Sequence, residues 1–162
     1  MLMNANALHL WKRLGGSALG RRLFSLGVGL KAPYFLTVRA HVRELEPGRS
    51  LVWAKKRWRV HNHIGTFHAI AMCNLAELAM GLVAEATVPP THRWIPIGIE
   101  AKYLARAESS LTAEAKLDPI PDFAAEKFDV DVQVEIRDDS GELVCSVTIP
   151  IRVSPRKVTG EF

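Results

Sequence analysis

The feature that most constrains the fold is a long, almost wholly apolar segment in the middle of the chain, residues 67–85. Its apolar positions cover nearly every face of a helix and are Ala69, Ile70, Met72, Cys73, Leu75, Ala76, Leu78, Ala79, Met80, Leu82 and Val83. A helix that is apolar all round must be buried inside a protein layer. We therefore expect a buried helix here, with Gly65 in the preceding turn and Thr66 as the N-cap.

Two polar side chains, Asn74 and Glu77, interrupt the middle of this segment. A carboxylate in such a setting is destabilising unless it is paired, solvated by a cleft or functional. Glu77 is therefore the first candidate for a functional residue. The competing interpretation is a structural carboxylate that Asn74 or a backbone group satisfies.

Segments in which apolar and polar residues alternate lie on both sides of the helix. Residues 130–136 and 143–151 alternate in this way around a polar turn at 138–141, which predicts a β-hairpin. The same period predicts four further strands, over residues 34–45, 50–60, 94–103 and 111–117. Several antiparallel strands with one apolar helix predict an α+β fold in which the sheet wraps around the helix.

The beginning of the chain is basic and partly helical, and no acidic residue precedes Glu44. Its leucines recur every three or four residues, and Gly15-Gly16 should divide the helix into two pieces. A transit-like segment, a nucleic-acid patch and a surface helix are the three interpretations of such a start. We expect an amphipathic extension over residues 1–33 that covers the domain, with contact to a membrane surface as the alternative. The main domain then spans residues 34–154, and residues 155–162 form a tail.

The composition narrows the class of protein. A chain of 162 residues, 48% of them hydrophobic, is long enough for one packed domain. The glycine-rich or helix-turn-helix patterns of nucleic-acid-binding proteins are missing, so no nucleic-acid partner is expected. Two cysteines, Cys73 and Cys145, are too few for a disulfide scaffold and lack metal-binding spacing. A reducing compartment, and hence a cytoplasmic location, is expected.

One motif carries a family resemblance. His61-Asn62-x-x-Gly65-Thr66-x-His68, followed by Leu75-Ala76-Glu77, resembles the hot-dog fold acyl-CoA thioesterases of the phenylacetate-pathway and 4-hydroxybenzoyl-CoA type. A similar His-Asn-x-x-Gly-Thr-x-His-Gly-Gly segment there precedes an acid at the same spacing. Residues 97–107 and 111–115 also resemble the family's third and fourth strands. The resemblance covers residues 34–153 and implies a hot-dog fold, an acyl-CoA substrate and no cofactor beyond the coenzyme A of that substrate.

The resemblance also implies roles for individual residues. Glu77 would act on the thioester as general base or nucleophile, and Asn62 would lie near the carbonyl or the attacking water. The backbone N–H of Ala69 would bind the carbonyl oxygen at the start of the helix, next to the motif residues Gly65 and His68. The cations that would meet the coenzyme A phosphates are Lys102, Arg106 and Arg59. The histidines of the motif lack supporting Cys or Asp residues, so no metal site is expected.

Two departures from the family pattern mark a divergent, less characterised branch. The Gly-Gly pair that follows the family's histidine is Ala69-Ile70 here, so the Ile70 side chain can crowd the approach of a thioester. Many relatives carry a hydroxyl residue one turn after the acid, where this chain has Gly81. A non-catalytic acyl- or lipid-binding protein of the same fold is therefore the alternative function. A hot-dog dehydratase fits less well, because its acid and histidine motifs do not align with this chain.

The spacing within the helix predicts an oligomer. Ala69 and Glu77 are eight residues apart, so their backbones are separated by about 12 Å along one helix. A thioester carbonyl needs its oxyanion donor and its acid each within about 3 Å. The two groups must then come from different subunits, which requires a homodimer or a dimer of dimers with the site at an interface.

Overall fold

The computed structural model describes residues 6–123 and 126–156. Three α-helices are α1 (Asn6–Leu14), α2 (Ala18–Lys31) and α3 (Ala69–Thr87). Seven strands are β1 (His41–Glu46), β2 (Arg49–Ala54), β3 (His92–Pro96), β4 (Glu100–Tyr103), β5 (Leu111–Lys116), β6 (Phe128–Asp138) and β7 (Leu143–Pro155). Two short 3₁₀ helices occupy Pro33–Thr37 and Trp58–Val60.

The seven strands form one antiparallel sheet around α3. The order is β1-β2-β5-β6-β7-β3, and β4 pairs with the first half of β7 on the same side as β3. Helix α3 packs against β1, β2, β5, β6 and β7, so the sheet curls around it. This arrangement confirms the predicted α+β class with a sheet wrapped around a central helix.

Helix α3 is the core of the domain, as its composition predicts. Leu75, Ala76, Ala79, Val83 and Ala84 have no exposed surface. By length and hydropathy alone α3 could also cross a membrane, but 67% of its most apolar window is buried within the fold. It is therefore the buried helix of a protein layer rather than evidence for a membrane span.

Three predicted strands differ from the observed ones. Residues 34–40 are not a strand: Thr37 Oγ1 donates to the carbonyl oxygen of Tyr34 at 2.7 Å in a 3₁₀ turn, and Arg39 takes a φ of 45°. The second strand ends at Ala54, because beyond it the backbone N–H of Lys56 donates to Ser110 Oγ at 3.2 Å instead of to a neighbouring strand.

The predicted strand over residues 94–103 is divided into β3 and β4. Pro96 ends β3, and Pro150 lies opposite the break in β7. Proline has no N–H to donate, so Pro150 gives no ladder hydrogen bond to the segment between β3 and β4. The N–H of Ile97 bridges the gap by donating to the carbonyl oxygen of Pro150 at 2.9 Å.

The N-terminal helices belong to the same core as the sheet. Trp11 of α1 and Phe24 of α2 are buried and meet edge to face, with ring centroids 5.1 Å apart. The break between the helices falls at Gly15-Gly16 as predicted, and Ser17 Oγ caps α2 by accepting from the N–H of Gly20 at 3.0 Å. Residues 1–5 of the predicted extension and residues 157–162 of the predicted tail lie outside the described residues.

The leucines of α2 face the opposite way from the prediction. Leu19, Leu23 and Leu26 were expected to cover the domain, yet all three are exposed. The packing face of α2 consists instead of Gly20, Phe24, Ser25 and Gly29. A Cβ at Gly20 would meet the carbonyl oxygen of Leu14, and one at Gly29 would meet the side chain of Leu36. Glycine therefore lets α2 pack closely on the end of α1 and on the 3₁₀ helix that follows it.

Candidate functional site

The loop before α3 is organised by the side chain of Asn62. Its Oδ1 accepts from the N–H groups of Ile64 and Thr66, both at 3.1 Å, and its Nδ2 donates to Thr66 Oγ1 at 2.7 Å. Gly65 takes a φ of 78°, which closes the turn and favours glycine. Asn62 therefore shapes the motif by holding its loop, and the proposed contact with a substrate carbonyl or water stays a prediction.

The residue that caps the start of α3 is not the predicted one. The helix begins at Ala69, and its N-cap is His68, whose Nδ1 accepts from the N–H of Ile70 at 3.1 Å. Thr66 is instead buried in the loop that Asn62 holds. Because Nδ1 of His68 is an acceptor, the proton of the neutral ring lies on Nε2. The N–H of Ala69, at the first helical position, has no intrahelical acceptor and carries the partial positive charge of a helix start.

One face of α3 is left uncovered by the sheet. Ile70 and Glu77 are exposed, and Cys73 and Gly81 are half-buried. These four positions follow the helical repeat, so they form one stripe, which we call the open face of α3. Glu77 was expected to be a buried carboxylate, but it is an exposed one in the middle of this open face. No hydrogen bond or ion pair joins its carboxylate to the residues that the structure describes.

Glu77 lies at an apolar cavity between α3 and the N-terminal helices. The volume of this cavity is about 480 Å³. Its wall comes from α1, α2, α3 and β3, and includes Leu10, Phe24, Val28, Leu78, Gly81, Leu82 and Trp94. Clefts of this size and composition hold small apolar ligands with a few polar contacts. We refer to it below as the α2–α3 cavity.

The buried acid of α3 is Glu85, which the sequence analysis missed. It lines the α2–α3 cavity, is 6% exposed, and accepts a hydrogen bond from Trp94 Nε1 at 3.2 Å. Its other carboxylate oxygen, Oε2, is buried and has no hydrogen-bond partner among the described residues. Burial raises the pKa of Glu85, although the Trp94 hydrogen bond and the charges of Lys31 and Arg156 act in the opposite direction. The sequence did contain a signal for Glu85: it follows Glu77 by two helical turns, and positions 77, 81 and 85 share a helix face.

The sequence analysis also missed a contact between Tyr103 and Cys73 at the start of α3. The hydroxyl of Tyr103, on β4, is 3.1 Å from Cys73 Sγ and 3.4 Å from the carbonyl oxygen of Ala69. The hydrogen bond with Cys73, helped by burial, raises the pKa of Tyr103 to about 12. Strand β4 is thereby held against the first turn of α3, next to the predicted oxyanion donor. The sequence signal was only the one-turn spacing of Ala69 and Cys73.

The three predicted coenzyme A cations do not all lie together. Arg106 and Arg59 are exposed and flank the motif loop, because Ala107 accepts from the N–H of Phe67 and Val60 accepts from the N–H of His68. Lys102 alternates with Tyr103 along β4, so it lies on the opposite face of the strand, where it pairs with Glu100 at 3.4 Å.

Among the described residues, no group of three or more His, Cys, Asp or Glu side chains is arranged to hold a metal ion. The ring nitrogen Nε2 of His61 is buried and has no hydrogen-bond partner within residues 6–123 and 126–156. His63 and His68 are exposed in the same loop.

Comparison with known proteins identifies the family. The sequence profile described as "Domain of unknown function (DUF4442)" matches residues 20–153. The chain belongs to the DUF4442 family. A search of the curated proteins returns no match.

Solved structures that are similar to this chain identify its fold. A structural-genomics crystal structure is 36% identical, covers 94% of this chain and 100% of its own, and superimposes with a TM-score of 0.82. A Pseudomonas aeruginosa protein, described as being of unknown function and a probable thioesterase, is 20% identical over 85% of this chain and 95% of its own, with a TM-score of 0.74. A Haemophilus influenzae thioesterase is 16% identical over 79% of this chain and 87% of its own, with a TM-score of 0.66. The DUF4442 chain therefore has the hot-dog fold, as the motif predicts.

Proposed function

We propose that the protein hydrolyses an acyl-CoA thioester to a free acid and coenzyme A. The observation that carries this proposal is the position of Glu77 on the open face of α3, at the α2–α3 cavity. Its carboxylate is exposed and is not paired with any of the described residues. Glu77 is the one exposed charged side chain of α3, whose other acid, Glu85, is buried. The structural likeness to proteins described as thioesterases supports the same reaction class.

The α2–α3 cavity suits the acyl group of such a substrate. Its wall is almost wholly apolar, and its volume of about 480 Å³ is in the range of small-molecule sites. Burying each methylene contributes about 0.8 kcal/mol, so a cavity of this kind favours an aliphatic or aromatic acyl chain over acetate. Gly81 adds no side chain to the wall, which leaves room between Glu77 and Trp94.

A second subunit would complete the site. The N–H of Ala69 and Glu77 lie on the same helix, so the distance of about 12 Å between their backbones holds in this fold. Strand β4 has no neighbour on its outer side within the described sheet, and Tyr103 holds it at the start of α3. Exposed apolar side chains surround this edge, namely Ile70, Ile97, Ile99 and Leu104. An unpaired edge with exposed apolar residues favours pairing with a second copy of the chain.

The chemistry follows from this arrangement. The carbonyl oxygen of the thioester accepts from the N–H of Ala69 of one subunit, where the helix dipole stabilises the developing negative charge. Glu77 of the other subunit takes a proton from water as the water oxygen attacks the carbonyl carbon, or attacks that carbon itself. The carbon–sulfur bond then breaks, and the coenzyme A thiolate leaves and is protonated. Where Glu77 is the nucleophile, the acyl group remains on its carboxylate as an anhydride, which water hydrolyses to the free acid and the regenerated carboxylate. Arg59 and Arg106, beside the motif loop, would meet the phosphates of the nucleotide.

The test measures thiol release from short, medium, long and aromatic acyl-CoAs with wild type and Glu77→Gln. We expect turnover on at least one medium or aromatic substrate and a loss of about 10²–10⁴-fold in kcat in the variant. Glu142→Gln, which changes an exposed acid in the β6–β7 turn, is the matched control and should keep full activity. Turnover that survives in Glu77→Gln would remove Glu77 from the mechanism.

The alternative is a binding protein of the same fold. It is favoured by Ile70, whose exposed side chain lies on the open face beside the proposed carbonyl site. This alternative predicts that acyl-CoAs raise the melting temperature in proportion to their affinity but are never cleaved. Thermal shift and thiol release on the same substrate panel separate the two functions.

A further inference from the structure

Helix α2 carries an exposed apolar stripe. Leu19, Leu23, Leu26 and Leu30 are each between 51% and 68% exposed. Their spacing of three and four residues places them on one side of the helix, opposite the buried Phe24. We call this surface the leucine stripe of α2.

The helices that carry and precede the leucine stripe have positive charge and no negative charge. The cations of the two N-terminal helices are Lys12, Arg13, Arg21, Arg22 and Lys31, and no acid occurs in either helix. Arg22 also lines a polar pocket of about 390 Å³ between α2 and β1, together with His41, Arg43 and Trp53. The guanidinium of Arg43 lies 5.0 Å from the centroid of the Trp53 ring. Apolar and basic surfaces therefore meet along one helix.

We propose that α2 binds the surface of an anionic lipid bilayer, with the leucine stripe inserted at the headgroup boundary and Arg22 and Arg43 next to lipid phosphates. Helices with an apolar side and basic flanks lie in the membrane interface and favour anionic lipids. Charge distinguishes this occupant from a second copy of the chain. A two-fold contact through the stripe would bring the same cations of two subunits together, which is repulsive.

The helix is anchored well enough to present this surface. Ser25, on its inner side, accepts from the backbone N–H of Val42 at 2.9 Å and donates to the carbonyl oxygen of Arg21 at 2.7 Å. Phe24 packs on Trp11 in the core. Substitutions on the outward side of α2 should therefore leave the fold intact.

The inner side of the same helix lines the α2–α3 cavity. The membrane proposal does not depend on the thioesterase proposal, because its readout is binding.

The experiment is flotation of the full chain with vesicles of phosphatidylcholine alone or of phosphatidylcholine containing phosphatidylglycerol. We expect binding to the anionic vesicles only, and weaker binding at high salt. A Leu23→Gln/Leu26→Gln variant should lower the partition coefficient at least about tenfold. Arg22→Glu should lower it roughly thirtyfold, since each cation near an anionic surface contributes about fivefold and a charge reversal counts twice.

Matched controls lie away from α2. Ile120→Gln removes an exposed apolar residue, and Lys127→Glu reverses an exposed cation. Both should bind as wild type does. The proposal is overturned if wild type does not float with anionic vesicles, or if the α2 variants bind as tightly as the controls. It is also overturned if Leu23→Gln/Leu26→Gln dissociates an oligomer without changing vesicle binding, because the stripe would then be a subunit interface.

Discussion

Trp94 Nε1 lies 3.2 Å from Glu85 Oε1 and donates a hydrogen bond to this buried acid of the central helix. The second carboxylate oxygen of Glu85 has no hydrogen-bond partner in the part of the chain that the structure describes, and burial raises the pKa of the group. Helix α3 thus contains one acid that is buried with a raised pKa and another, Glu77, that is exposed. The buried acid is expected to affect stability, whereas the exposed acid is the proposed catalytic group.

Glu85 should make the protein less stable as the pH rises. Its pKa is higher in the folded state than in the unfolded state, so the folded protein binds more protons between the two values. The free energy of unfolding then falls as the pH increases through the pKa of the folded state. Glu85→Gln removes this titration but keeps an oxygen acceptor for Trp94. Urea denaturation between about pH 4.5 and pH 8 should show a steeper fall for wild type than for the variant. Parallel pH profiles would contradict the assignment.

Gly81 should control both stability and the size of the acyl group. A Cβ at this position would lie 3.6 Å from the Trp94 ring, an ordinary contact. Gly81→Ala should therefore stabilise the helix by about 0.5–1 kcal/mol, seen as a higher melting temperature. Gly81→Leu should fill part of the α2–α3 cavity and lower kcat/KM for the longest accepted acyl chain about tenfold or more, with short chains unaffected. An equal loss for all chain lengths would place the acyl group elsewhere.

The sequence predicted the fold well, but it did not predict which acids of α3 are buried and which are exposed. The period of the apolar residues identified α3 and the β6–β7 hairpin, because local periodicity reports directly on burial. It could not show that Glu77 faces out, since the sheet leaves one face of α3 uncovered and this depends on residues far apart in the chain. The prediction that the leucines of α2 cover the domain was wrong for the same reason. An amphipathic pattern identifies the apolar side of a helix but not what covers that side.

Other features depended on contacts between distant segments. The side-chain bonds of Asn62 and the Tyr103–Cys73 pair join residues whose proximity no local pattern gives. The N-cap is His68 rather than Thr66, because Thr66 Oγ1 already accepts from Asn62 Nδ2, and a histidine nitrogen accepts from the first turn of the helix instead. Thr66 is the more common cap type, so propensity alone favoured it.

The cap provided by His68 should contribute to stability. His68→Ala removes the acceptor for the N–H of Ile70 and should destabilise the protein by about 1 kcal/mol. The expected fall in melting temperature is about 2–4 °C for a chain of this size. His63→Ala is the control, because His63 is exposed in the same loop. Equal melting temperatures for the two variants would show that the cap is unimportant.

Cys145 should be inert to thiol reagents in the folded protein. It has no exposed surface, and burial raises the pKa of its thiol to about 11. The thiolate is the reactive form, so only about a thousandth of the group is reactive near pH 8. In Cys73→Ser, Cys145 is the only cysteine left. A disulfide reagent should modify it in denaturant but not in the native state, and rapid native modification would show that the core opens.

The proposed site at a subunit interface can be tested by separating its two halves. Ala69→Pro removes the backbone N–H at the first position of α3, where proline is tolerated. His68, just before it, already has the extended conformation that precedes proline, with φ −68° and ψ 137°. We expect a folded variant that loses about 10²–10³-fold in kcat, comparable with the loss of one oxyanion donor.

The most direct measurement is the turnover of purified hybrid dimers, isolated with two different affinity tags. A hybrid of Glu77→Gln with Ala69→Pro retains one intact shared site and should show about half of wild-type activity, although each parent is inactive. A hybrid of wild type with a subunit carrying both substitutions breaks both shared sites and should be inactive. Half activity in the second hybrid and none in the first would contradict the account, because each site would then lie within one subunit.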